Sequence, residues 1–143
     1  MNATVTEVYT SDESTELELP LAEAACPAGF PSPADDHMEK RLDLNEHLIE
    51  HPAATFFVRV SGNSMIDAGI HDDDILVVDR SLEPRDGKVV IAVLNGELSV
   101  KRLKKREDAL YLQAENDDYQ SIEVSKESDL RIWGVATHVI HDL

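Results

Sequence analysis

Residues 75–103 read ILVVDRSLEPRDGKVVIAVLNGELSVKRL. Three short runs in this stretch, ILVVD (75–79), KVVIAVL (88–94) and ELSVKRL (97–103), are rich in β-branched and aliphatic residues and bounded by turn formers. Asn95-Gly96 between the second and third is the dipeptide that a two-residue hairpin requires, because both central positions need positive φ. On either side the same pattern continues: TFFVRVS (55–61) before, then ALYLQA (109–114), SIEVS (121–125) and LRIWGVATHVI (130–140). Short strands separated by turn residues predict a compact, mainly β body. Upstream, DLNEHLIE (43–50) predicts one short helix: Asp43 caps it, Leu44 and Leu48 give it an apolar stripe, and Pro52 stops it.

The 143 residues carry 29 acidic against 13 basic side chains, a formal charge of −16, and 5% aromatics. This balance argues against direct, specific DNA binding, which relies on clustered Lys and Arg, and against a stacking platform for single strands. One cysteine, Cys26, excludes an internal disulfide framework and fits a reduced, cytoplasmic setting. No apolar stretch approaches the roughly 20 residues of a membrane span, and the N-terminus has neither the charge nor the apolar core of a secretory signal. Residues 1–28 contain six acids and no Lys or Arg, and their first 20 residues, rich in Thr, Ser and Glu, predict a flexible or loosely docked arm. CPAGFPSP (26–33) holds three prolines and a glycine and predicts an extended linker, the backbone shape a protease cleft accepts.

Two features carry candidate chemistry. Ser64 lies in SGNSM (61–65), directly after a strand, where flanking Gly62 and Asn63 permit a sharp turn and backbone N–H groups can face a developing oxyanion. A plain turn explains the same residues. Lys101 shares one strand face with Ser99 and Leu103. Buried there, its amine sheds its proton and becomes a base for a Ser hydroxyl. Its neighbours Arg102, Lys104, Lys105 and Arg106 fit equally well with a solvated basic face.

SGNSMIDAGIHDDDILVVD followed by VVIAVLNGELSVKRL resembles the LexA-like Ser–Lys self-cleaving peptidases. AGFPSPADDHMEKRLDLNEHLIEHPAATFFVRVSGNSM is similar to their UmuD-type branch, the accessory subunits of the SOS-induced translesion DNA polymerase V. The resemblance covers about residues 26–140 and implies a LexA-like C-terminal peptidase fold. It also implies Ser64 as nucleophile, Lys101 as general base and Ala28-Gly29 as the bond cut. Residues 1–28 then form a removable arm and residues 29–143 the peptidase and dimerisation domain. Implied partners are a second copy of the chain, a RecA filament on single-stranded DNA, and a UmuC-like Y-family polymerase subunit. No cofactor or metal is implied. Cys26 receives no role.

Other readings stand beside it. The chain could be a non-catalytic dimeric polymerase-binding scaffold. It could also be a LexA- or phage-repressor-like regulator without the DNA-binding domain, for which residues 1–28 offer no helical pair. Signal peptidases share the Ser–Lys chemistry but need a membrane anchor. His47-Leu48-Ile49-Glu50-His51 fits an H-x-x-E-H zinc pattern, but Pro52 ends the helix at once and no obvious downstream helix offers a third ligand. His71-Asp72-Asp73-Asp74 lacks the calcium-loop spacing and reads as an acidic turn.

Overall fold

The computed structural model describes residues 2–12, 18–22, 38–124 and 130–143. Its strands are β1 (Thr4–Thr10), β2 (Glu18–Ala22), β3 (Met38–Asp43), β4 (Thr55–Ser61), β5 (Ile75–Asp79), β6 (Val89–Leu94), β7 (Glu97–Arg106), β8 (Ala109–Gln113), β9 (Ile122–Val124) and β10 (Leu130–Ile140). A single α-helix, α1 (Leu44–Leu48), follows β3. The mainly β reading holds, and the predicted strands stand within a few residues of their expected ends.

The chain divides into two units, residues 12–50 and residues 1–11 with 51–143. In the smaller unit β2 and β3 pair antiparallel, with Leu19 opposite Leu42. The Asp43 carboxylate accepts the Asn45 N–H at 3.0 Å, the N-cap anticipated from the sequence.

In the larger unit the strand order is β1-β4-β5-β10-β6-β7-β8-β9, and β1 also pairs with β7 through Thr4 and Ser99. Six strands therefore close on themselves, leaving β8 and β9 as an extension. Closure removes exposed edges from the ring. The period-two pattern feeds two apolar clusters. Ile91 packs with Val58, Val60, Met65, Leu76, Val78 and Val100, whereas its neighbours Val90 and Ala92 pack with Leu103, Leu112 and Val135. The β6–β7 hairpin turns on Asn95 (φ 52°) and Gly96 (φ 82°), as the Asn-Gly dipeptide requires.

Strand β1 departs from the sequence reading, which placed the first 20 residues in a loosely docked arm. Val5 lies opposite Val60 and Val8 opposite Val58, and Ala3 is 1% exposed within the first apolar cluster. Most of β1 beyond its first two residues is exposed, so its Thr and Glu side chains face water while its backbone closes the ring.

Gly134 in β10 marks a close approach between strands. A Cβ there would lie 2.5 Å from Val78 Cγ1, and Val78 is fully buried and β-branched, so it has little room to yield. Gly134→Ala is expected to destabilise the chain by about 1–3 kcal/mol, read as a lower denaturant midpoint at unchanged slope. An unchanged midpoint would contradict this packing.

Candidate active site

Ser64 sits in the turn that leaves β4, and this turn is held from several directions. Gly62 adopts φ 105°, a conformation that favours glycine. Its N–H donates to Asp72 Oδ1 at 2.8 Å. Asn116 donates to the Asn63 carbonyl at 2.9 Å, and the Tyr119 hydroxyl donates to Asn63 Oδ1 at 2.8 Å. Met65 is fully buried in the first apolar cluster and anchors the far side of the turn. The Ser64 side chain is therefore placed by a buried neighbour and a braced backbone, and Ser64 itself is 0% exposed.

Lys101 lies on β7 opposite Val90 of β6. It is 4% exposed, whereas Lys105 and Arg106 on the same strand are exposed. The solvated-face alternative therefore does not apply to Lys101. Burial pushes its amine below the ordinary lysine value of 10.5, and the Glu97 carboxylate opposes this with a smaller effect.

The two side chains meet at one dipeptide. The Ala3 N–H donates to Ser64 Oγ at 2.7 Å, and Lys101 Nζ donates to Asn2 Oδ1 at 3.1 Å. The Val100 N–H donates to the Ala3 carbonyl at 2.9 Å, so the segment lies along β7 as an added strand would. Ser64 and Lys101 thus each hold one residue of an extended dipeptide, of which Ala3 is buried and Asn2 is exposed. Each side chain contacts the dipeptide, and a serine hydroxyl served by an amine of lowered proton affinity is the pairing that nucleophilic catalysis by serine uses.

Ala28, Gly29 and Cys26 lie outside the described residues. Of the H-x-x-E-H residues, His47 is exposed on α1, and His51 directs Nδ1 to Asp79 Oδ2 at 2.6 Å. The acids of the 71–74 turn serve the protein's own contacts: Asp72 braces Gly62, and Asp73 pairs with Arg59 at 3.1 Å. Asn2, Ala3 and the Asn116–Tyr119 brace were not anticipated, because each reaches the site from more than 50 positions away in sequence.

The closed β body thus carries a buried serine and a buried lysine against one extended segment, and the comparisons give the class of the chain. The Peptidase S24-like family model matches residues 20–137, and the chain belongs to that family. It is 47% identical over 123 residues to Protein ImpA of Salmonella typhimurium, covering 85% of this chain and 83% of that one. Protein SamA of the same species is 43% identical over 134 residues, 94% of this chain and 93% of that one. The LexA repressor of Shewanella denitrificans is 39% identical over 132 residues, 92% of this chain and 63% of the repressor. Among the described residues, no helix is long and apolar enough to cross a membrane.

Proposed function

We propose that this chain is a self-cleaving serine peptidase in which Ser64 is the nucleophile, Lys101 the general base and Ala28-Gly29 the bond cut. The observation that carries the reading is the convergence of a fully buried hydroxyl and a buried amine of lowered pKa on one extended dipeptide. Ala3, lying against Ser64 with its carbonyl on the Val100 N–H, indicates the kind of segment the groove accepts: extended, with small side chains. Ala28-Gly29 has that character, and the flanking prolines favour extended backbone. For cleavage this segment takes the position that Asn2 and Ala3 hold.

The neutral Lys101 amine takes the Ser64 proton as Oγ attacks the Ala28 carbonyl carbon. The Gly62 N–H is committed to Asp72, so oxyanion stabilisation falls to the Ser64 N–H and an adjacent backbone N–H. Collapse of the tetrahedral intermediate breaks the C–N bond, and protonated Lys101 returns its proton to the leaving Gly29 amine. Water then attacks the Ser64 ester, with Lys101 again as base, releasing residues 1–28 and restoring the hydroxyl. The products are residues 1–28 and 29–143.

The resemblance to UmuD-type subunits supports a wider role. In this reading RecA filaments on single-stranded DNA stimulate the cut, and a cytoplasmic homodimer of residues 29–143 serves an error-prone, UmuC-like polymerase during the SOS response. Co-purification of that product with a Y-family polymerase subunit from DNA-damaged cells tests this part. Recovery of the polymerase with neither form would overturn it.

A further inference from the structure

The 71–74 turn and the chain beyond β10 meet at a cluster that the peptidase reading does not use. Asp74 is 3% exposed, and its Oδ2 accepts the His71 N–H at 2.7 Å. His71 Nδ1 lies 3.8 Å from the same oxygen, and His141 Nδ1 lies 2.5 Å from Oδ1. The two imidazoles are tilted against each other, with centroids 4.8 Å apart and planes at 38°. One ligand atom from each of the three residues falls within 4.8 Å of the other two. Capping of the turn by Asp74 uses the His71 backbone and His141; it gives no reason for the His71 ring to stand beside them.

We propose that His71, Asp74 and His141 form a binding site for one zinc ion. Two imidazoles with a single carboxylate are a zinc-type donor set, whereas calcium and magnesium demand six or more oxygens. Tetrahedral zinc with bonds of about 2.0–2.2 Å places its ligand atoms about 3.4 Å apart. The present separations reach that value through small rotations of two half-exposed rings about a fixed, buried carboxylate. Zinc replaces the proton between His141 and Asp74, and the solvent side leaves its fourth position to water. Exposed Asp72 and Asp73 on the same turn add negative potential, of which Arg59 offsets one charge. The ligands lie up to 70 positions apart in sequence, so bound zinc ties the C-terminal end of β10 to the turn that also braces Gly62. Binding to the folded chain alone raises its stability by mass action.

This site is independent of the peptidase reading, and so is its test. Zinc is titrated into the full chain by calorimetry and thermal unfolding, with cobalt(II) as a visible-absorption probe of tetrahedral coordination. The expected result is one zinc per chain with a raised Tm. Affinity should fall about tenfold or more in His71→Ala and in His141→Ala, while His47→Ala and Cys26→Ser bind as the unaltered chain does. Both rings are partly exposed, so these variants keep the core intact. Failure of the unaltered chain to bind zinc at about millimolar concentration, or equal binding by both His71→Ala and His141→Ala, would overturn the proposal.

Discussion

Ser64→Ala and Lys101→Met are each expected to leave the chain at full length under conditions in which the proposed self-cleavage removes residues 1–28 from the unaltered protein. Ser64→Ala removes the oxygen that, in this reading, carries the acyl group. Lys101→Met keeps a long apolar stem in the buried position but removes the base, a loss of about 10²–10⁴-fold in rate. Lys101→Arg should be as inactive as Lys101→Met, because a guanidinium stays protonated up to a pH above about 12 and cannot accept the Ser64 proton. Both positions are buried, so circular dichroism of each variant is needed to establish that the fold persists. Intact mass spectrometry after long incubation, with and without RecA filaments on single-stranded DNA, reads the outcome. Processing of folded Ser64→Ala at the same bond and rate would remove Ser64 from the role of nucleophile.

The proposed spontaneous cleavage is expected to speed up about tenfold per pH unit while Lys101 is mostly protonated, then to level off at its pKa. The sign follows from the chemistry: only the neutral amine is a base, and its fraction grows with pH. Burial disfavours the charged form, so the plateau arrives below the ordinary 10.5. Glu97 acts in the opposite direction by stabilising the ammonium. Glu97→Gln should therefore move the rise to lower pH without lowering the plateau. Cleavage followed by mass spectrometry in overlapping buffers gives both curves. A rate flat between about pH 6 and pH 10, or a shift to higher pH in Glu97→Gln, would remove Lys101 from the role of base.

The strand pattern was readable because one-sided or alternating burial imposes period two, and Asn95-Gly96 fixed one hairpin by backbone sterics alone. The α1 cap at Asp43 was readable for the same local reason. What escaped was long-range. TVTEVYT has few apolar residues, and its role in closing the ring depends on β4 and β7, some 50 to 95 positions away. Ser64 was visible as a residue in a turn, but not its complete burial, which comes with the distant Ala3 seated on its hydroxyl and Met65 anchored in the core. For Lys101, spacing named the strand face but could not tell burial from a solvated cluster, since Arg102, Lys104 and Lys105 carry the same charge. The acidic 71–74 turn was readable, whereas the approach of His141 was not, because only the antiparallel course of β10 beside β5 brings it there.

The measurement nearest to the central claim is a direct titration of the Lys101 amine by nitrogen-detected NMR in the uncleaved Ser64→Ala chain. A midpoint below 10.5, moving lower still in Glu97→Gln, is the expected result. A midpoint at or above 10.5 would mean that burial does not lower the proton affinity of this amine, and the proposed base would be lost.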